Sequence, residues 1–509
     1  MPSREEAAHA LLERAELRRQ EFSARIGDRH RSKFGQFFTP GQVARHLASL
    51  LDVPKAGKWR VVDPGAGTGS LTAAVMARAI EAGFKGNIAF TAFEIDESLA
   101  VGLDETLEEC VAAGGEFGIT VTTDRHTDDF LSWVASHDQH GGQELTRFDA
   151  VVMNPPYKKI ARGSRERLMA ENAGCGSPNL YTAFVTMALR VMGDGGQIVA
   201  ITPRSFANGP YFLSFRRDLL LHTSLRHVHV YESRSSAFAD TEVLQENVIW
   251  RADVGAKRGT VVISHSESPA HEAVSRAVPH KSVVSDDDGN LFLHFRLDED
   301  ADAVAGLMEA MPETLTTLGV EVSTGIVVDF RSREHLSEIA TPDTVPMVYP
   351  AHLRGGVSHW PDGVEKPSYF VATDTSRKML LPEGWYVVVK RFSAKEEKRR
   401  VVASLWDPVL NGGPVAFDNK TNIFHIRKQG LDEEVARGLT AYLNTRFVDE
   451  AFRQFSGHTQ VNATDLKELR YPTVDQLRIM GQRLESSAPW GDEMDDLLVA
   501  SMRPERKSA

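Results

Sequence analysis

Two cysteines in 509 residues, Cys110 and Cys175, are too few for a disulfide framework or a cysteine-ligated zinc site. They fit a reducing compartment. No run of about 18 apolar residues is present, so no membrane-spanning helix is expected. The first residues, Met1-Pro2-Ser3-Arg4-Glu5-Glu6, are charged and lack the apolar core of a secretion signal. Internal repeats, low-complexity blocks and metal-ligand spacings are also lacking. A cytoplasmic, metal-free protein is the expectation.

An excess of positive charge is missing too. Lys and Arg number 58 against 70 Asp and Glu, a net charge of −12. That disfavours a generally basic nucleic-acid binder, but net charge does not describe one local face. Between Trp385 and Lys428 stand nine basic residues, including Lys390, Arg391, Lys395, Arg399 and Arg400, against four acids. Such a segment suits a confined DNA-binding surface.

The length implies two or three domains, and 42% hydrophobic with 25% charged residues is ordinary for a globular chain. Residues 1–33 read as exposed helices. Strands and helices then alternate. Strands are expected near 59–63, 87–94, 119–122, 148–153, 196–202, 225–231 and 243–252. Helices are expected near 70–82, 98–113, 129–136, 180–192 and 211–221. That alternation is the pattern of an α/β, doubly wound, mostly parallel sheet, whose ligands bind beyond the carboxyl ends of the strands. Residues 266–315 read as a polar connection. From 316 to 475 short β-rich runs between Gly/Pro turns suggest a mixed α+β domain, and 476–509 a polar tail. The catalytic domain would be 34–265.

The chemistry-bearing residues fall at strand ends. Asp63-Pro64-Gly65-Ala66-Gly67-Thr68-Gly69 follows a strand and opens a helix. Glycines let the backbone turn tightly and approach a ligand, and a helix N-terminus favours a carboxylate. The leading acid departs from a dinucleotide fingerprint and fits S-adenosylmethionine, whose amino group can pair with Asp63. Glu94, with Ile95 beside it, ends the second strand where ribose hydroxyls would be held; Asp96 is the rival. After the third strand come Asp128, Asp129 and Phe130. One of these aspartates can accept from an adenine amino group while Phe130 packs on the ring, or serve only as a helix N-cap. Phe37-Phe38-Thr39-Pro40 precedes a helix. Thr39 reads as its N-cap with Pro40 in the first turn, while the phenylalanines could cover the methionine end of a cofactor.

Asn154-Pro155-Pro156-Tyr157 ends a buried strand. An aromatic exocyclic amine is a poor nucleophile because its lone pair is delocalised into the ring. The Asn154 side-chain oxygen and the Pro155 carbonyl can accept its two hydrogens and draw it toward tetrahedral geometry, while Tyr157 stacks on the base. Positioning and electrostatics would carry the step. In a duplex the base must first be flipped out. Phe238 is expected as the second stacking residue, with Tyr231 and Phe206 as rivals. Lys158, Lys159 and Arg162, with Arg165 and Arg167, read as a mobile phosphate-contacting loop.

The order Phe37–Pro40, Asp63–Gly69, Phe93–Asp96, Asn154–Tyr157 resembles the gamma class of DNA adenine-N6 methyltransferases over about residues 33–255. Three further segments, Ser323–Arg331, Lys390–Glu397 and Ser456–Leu466, resemble stand-alone type II modification methylases of the PstI kind. The resemblance implies a site-specific enzyme of a restriction-modification system, using S-adenosylmethionine on double-stranded DNA. A target-recognition domain would follow the catalytic one, and a separate cognate endonuclease is a possible companion. It places Thr39, Asp63 and Gly65 at the methionine moiety, Glu94 at the ribose, and Asp129 and Phe130 at the adenine. Asn154, Pro155, Tyr157 and Phe238 would hold the target base. The alternatives are a protein-glutamine or RNA N-methyltransferase, and a non-catalytic DNA specificity subunit.

Overall fold

The computed structural model describes residues 2–26, 38–139, 147–176, 179–231, 246–284, 289–362, 364–393, 397–455, 460–484 and 493–502. The chain forms two compact units, Met1–Leu297 and Asp298–Ala509. No described helix is long and apolar enough to cross a membrane.

The first unit is built on a nine-stranded sheet of order β3-β2-β1-β4-β5-β7-β6-β8-β9. The strands are β1 Ala56–Asp63, β2 Lys85–Phe93, β3 Ile119–His126, β4 Phe148–Met153, β5 Met192–Pro203, β6 Thr223–Tyr231, β7 Asn247–Val254, β8 Thr260–Ser266 and β9 Val274–Pro279. β1 to β5 are mutually parallel, and β7 enters antiparallel between β5 and β6. Side chains alternate across a strand, and here both faces are covered, so β4 reads as one apolar run. Val151 and Met153 join the core on one face, with Phe130, Phe184 and Trp250. Ala150 and Val152 join the core on the other, with Leu11, Leu47 and Val75.

Helices α1 Arg4–Arg25, α2 Gly41–Ser49, α3 Ser70–Glu81 and α4 Ala100–Glu116 precede or flank the early strands. A Ser3–Glu6 capping box starts α1. The expectation of exposed N-terminal helices is corrected by α1. Its Ala8, Leu11 and Ala15 are buried, and Arg18 donates to Glu105, Thr106 and Glu109 of α4 at 2.7–2.9 Å. Helices α5 Phe130–Gln139, α6 Arg165–Asn172, α7 Leu180–Arg190 and α8 Leu213–His222 complete the alternation. The expected loop after Tyr157 is also corrected, because Arg165 and Arg167 stand on α6, capped by Ser164. Residues 266–297 are not a connection but part of the first unit, where β9 pairs with β8.

In the second unit a six-stranded sheet runs in the order Glu321–Thr324, Thr421–His425, Tyr386–Lys390, Ala403–Trp406, Val357–Ser358, Leu353–Arg354. A four-stranded sheet runs in the order Leu336–Ser337, Tyr369–Val371, Thr344–Val348, Ala416–Phe417. Helices Glu433–Leu443 and Val474–Arg483 cross closely. A Cβ on Gly438 would lie 1.8 Å from the Leu477 carbonyl oxygen, and one on Gly481 2.0 Å from that of Glu434. The expected polar tail beginning at 476 therefore starts inside a packed helix, which buries Leu477 and Met480.

Gly438→Ala is expected to destabilise the second unit by at least about 1–3 kcal/mol, because the neighbour is rigid backbone. Calorimetric unfolding checks this; an unchanged midpoint would contradict the close crossing.

Candidate active site

The cofactor side of the cleft is made by the turn after β1. Gly67 and Gly69 have φ of +57° and +87°, a region other residues adopt at a cost. The turn is pinned by Ala66 N–H to the Phe93 carbonyl (2.9 Å) and by Gly67 N–H to Glu94 Oε2 (2.8 Å). The other oxygen of Glu94 accepts from the Asp96 N–H at 2.8 Å. Glu94 is thus fixed by backbone at both oxygens. Asp96 instead caps the short helix Glu97–Leu99, accepting from Ser98 N–H and Oγ–H. Glu94 lines the cleft and Asp96 does not.

Asp63 is buried at the end of β1. Its Oδ2 accepts from Thr72 Oγ1 at 3.2 Å, and its Oδ1 has no hydrogen bond of normal geometry. The Gly65 amide is near enough to oppose the shift, but burial dominates and pushes the carboxyl up to about 7, with the Glu94 charge adding to it. Burial raises Glu94 as well. Two buried acids that resist ionisation make this end of the cleft receptive to a cation.

The other side of the cleft is made by the turn after β4. Asn154 is buried, and its Nδ2 donates to Thr39 Oγ1 at 3.0 Å. That bond turns the acceptor end of the amide, Oδ1, the other way. The N-cap expected of Thr39 is corrected here. Pro40 occupies the cap of α2 with no side-chain bond, and Thr39 spends its hydroxyl on Asn154. α1 holds this segment, because Glu16 Oε2 accepts the Gly41 N–H at 2.8 Å. The two turns adjoin: a Cβ on Gly65 would come to 4.0 Å from the Asn154 carbonyl oxygen.

Most of these residues line one open cleft, whose empty space of about 770 Å³ includes adjoining solvent; Asp63 is not among its wall residues. Its walls bring Thr39, Gly65, Gly67, Glu94, Ile95, Asp128, Asp129, Phe130, Asn154 and Pro156 together. Pro155 is buried behind it. Asp129 also caps α5, accepting from Ser132 N–H at 3.0 Å. Phe130 is buried with its edge toward Phe93. Tyr157 is half-buried, donates to the Ile201 carbonyl at 3.2 Å and meets Tyr181 edge-on. Burial holds its phenol well above the usual range.

Phe37, Phe238 and Lys395 lie outside the described residues. Of the rivals to Phe238, Phe206 packs against Phe215 and Trp250, and Tyr231 against His229, so both are core residues. Phe38, one of the phenylalanines expected to cover a cofactor, lies 3.7 Å from where a Cβ on Gly67 would stand, while Phe184, which reaches in from α7, is among the cleft residues the sequence reading did not include. Phe38 had a signal in its aromatic run; Phe184 had none, since it reads as an ordinary core position.

The basic segment does not form one face. Arg400 is 1% exposed, donates to Ser393 Oγ and lies over Phe452, which corrects its assignment as a DNA contact. Arg399 is turned inward as well, onto the Asn444 carbonyl. Lys158, Lys159, Arg162, Lys390 and Arg391 remain at least partly accessible.

The residues present fit S-adenosylmethionine. A buried carboxylate with a free oxygen suits its ammonium, Glu94 suits ribose hydroxyls, and Phe130 with Ile95 offers apolar walls for a purine. Fold and cleft define an S-adenosylmethionine-dependent methyltransferase. Sequence comparison narrows this. The chain is 42% identical over 463 residues to the type II methyltransferase M.BsuBI of Bacillus subtilis, covering 89% of this chain and 90% of the relative. It is 38% identical over 490 residues to the type II methyltransferase M.PstI of Providencia stuartii, covering 95% and 96%. The Eco57I restriction-modification methylase family matches residues 104–238. The solved structure of the type IIL restriction-modification enzyme MmeI with DNA shares the fold, with a TM-score of 0.56, 12% identity, and coverage of 90% of this chain and 69% of that one. The chain belongs to the type II DNA methyltransferases of restriction-modification systems, and S-adenosylmethionine is its methyl donor.

Cofactor affinity should depend on pH through Asp63. A carboxyl titrating near 7 is half protonated there, and only its ionised form attracts an ammonium. Binding should tighten about fivefold as pH rises from 6 to 7 and about twofold more by pH 8. Calorimetric Kd values at pH 6, 7 and 8 check this; a pH-independent Kd would contradict it. The sign for stability is opposite. The native state binds more protons than the unfolded chain between 3.8 and about 7, so Asp63 favours the free protein as pH falls through that window.

Proposed function

We propose that the enzyme methylates adenine N6 in double-stranded DNA at a specific sequence. The observation that carries this is the Asn154–Thr39 bond, which orients an acceptor at the carboxyl end of β4 beside the cofactor turn. When bound, the cofactor supplies an electrophilic sulfonium methyl. Asp63 receives its ammonium, with Thr39 and Phe37 near the methionine moiety. Glu94 holds the ribose, while Asp129 and Phe130 hold the adenine ring. Asn154 Oδ1 and the Pro155 carbonyl accept the two hydrogens of the target amine. The amine then pyramidalises and aims its lone pair along the transfer axis. Its proton leaves after the nitrogen has become cationic, so the site needs no strong base. Tyr157 and Phe238 stack on the flipped base. Lys158, Lys159 and Arg162 meet the backbone, and the unit from Asp298 onward reads the sequence, with a cognate endonuclease acting on the same site.

The motif order, with the Phe38-Thr39-Pro40 segment ahead of the glycine turn, supports adenine over cytosine. Full-length similarity to type II methyltransferases speaks against an RNA or protein-glutamine enzyme and against an inert specificity subunit. Duplex DNA methylated with labelled cofactor and digested to nucleosides should carry the label in N6-methyladenine; label in N4-methylcytosine would sink the assignment. Asn154→Ala should lower the single-turnover rate by about 10²–10³-fold, the scale for losing one preorganised charge-stabilising contact, with cofactor Kd unchanged. Thr39→Val should cost about tenfold in rate through a freed amide. Rates within twofold of wild type in both variants would contradict the Asn154 role.

A further inference from the structure

Segments far apart in the second unit's sequence converge on one surface. Val327 N–H donates to the Phe417 carbonyl (3.1 Å) and Asn419 N–H to that of Val327 (2.8 Å). Arg391 N–H donates to the Lys420 carbonyl (2.9 Å) and Val461 N–H to that of Arg391 (2.7 Å). The Arg391 guanidinium reaches the Asn419 carbonyl at 3.2 Å and Gln460 Oε1 at 3.4 Å. The three segments that resemble type II modification methylases are thus tied together by backbone at one place.

What this place shows to solvent is unusual in two ways. Phe330 and Phe392 are 62% and 47% exposed, and they are the only exposed phenylalanines among the described residues. Leaving such rings in water forfeits the burial free energy that every other described phenylalanine at least partly gains. Each also carries a guanidinium, Arg331 at 5.4 Å over Phe330 and Arg391 at 6.0 Å over Phe392. Two lysine ammonium groups also gather here. Lys366 Nζ lies 2.6 Å and Lys420 Nζ 3.5 Å from one carboxylate oxygen of Asp329. That shared carboxylate, held below its ordinary range chiefly by the Lys366 bond, gathers two ammonium groups. Asp418 beneath is fully buried.

We propose that this face, Phe330, Arg331, Lys366, Arg391, Phe392 and Lys420, docks on duplex DNA. It rests on the reading of the enzyme as a DNA methyltransferase and adds where the second unit touches its substrate. Lys366, Lys420 and Arg331 meet phosphates, since the two ammonium groups at Asp329 and the guanidinium groups over Phe330 and Phe392 complement a polyanion in a chain of net charge −12. Phe330 and Phe392 meet bases, where a ring face or wedge contacts the stack and carries sequence preference. A protein partner would call for a broader apolar area than two isolated rings among cations.

The test uses the full chain, a DNA fragment that the wild type methylates and one of equal length that it does not. Two paired variants are compared, Lys366→Gln with Lys420→Gln, and Phe330→Ala with Phe392→Ala. The lysine pair should weaken binding to both fragments and lower the slope of log affinity against log salt by about 2. The phenylalanine pair should weaken binding to the methylated fragment about tenfold and to the other little. Cofactor affinity and thermal midpoint, measured alongside, report folding. Unchanged DNA affinity and salt slope in both folded pairs overturns the proposal while the wild type still methylates DNA. A loss confined to the lysine pair overturns the role of the phenylalanines. A wild type that labels no DNA overturns the DNA reading itself, and this surface with it. If a pair fails to fold, single substitutions Lys420→Gln and Phe392→Ala take its place under the same criteria.

Discussion

The parallel pairing of β1 with β4 is the constraint on which the rest depends. Val61 stands opposite Ala150 and Val62 opposite Val151. Both strands therefore end together, and two turns about 90 residues apart in sequence become neighbours. Arg60 fixes the same register from the edge, with its backbone N–H and guanidinium all on the Asp149 carboxylate at 2.8–3.1 Å. That ion pair is partly exposed, so its direct contribution to stability is small, roughly 0–1 kcal/mol. Its consequence is geometric. A one-residue slip would turn Val151 and Met153 away from their core and carry Asn154 off the glycine turn. The N-terminal helix extends the same logic. Glu16 holds Gly41, which sets the chain so that Thr39 meets Asn154.

The electrostatics of the cleft follow from that placement. Asp63 and Glu94 are buried because they end adjacent strands under α3 and α4, and burial makes both reluctant anions. Such a pair is costly in the free protein and favourable once a cation arrives. At the other end, Asn154 is neutral and Tyr157 has its phenol pushed far from physiological titration. Neither group is suited to remove a proton. Under the proposed function, such a site, with receptive acids near one turn and a fixed amide at the other, works by position and local field.

Much of this was legible in the sequence. The strand–turn–helix at Asp63–Ser70 announces itself through glycines that only a tight turn requires, and β4 through an unbroken apolar run. The hidden parts depend on contacts between distant residues. Thr39 looks like a helix cap until Asn154, 115 positions later, is brought to its hydroxyl. Arg400 sits in a basic run that reads as surface. Its burial is set by Asp449, whose carboxylate accepts the Arg400 N–H, and by Phe452. Helix Arg165–Asn172 shows too little apolar periodicity to be seen, burying only Ala170. The end of the first unit was missed because β9 is a mostly exposed edge strand, of which Val278 alone is buried.

The central claim is that Asn154 acts as an acceptor that shapes the amine, with no base in the rate-limiting step. Its most direct test is the single-turnover methyl-transfer rate at saturating cofactor and DNA, followed from pH 6 to pH 9. The account predicts a flat profile, since no group that must lose a proton takes part before the nitrogen becomes cationic. A rate rising about tenfold per pH unit across that range would contradict it and identify a general base in the site.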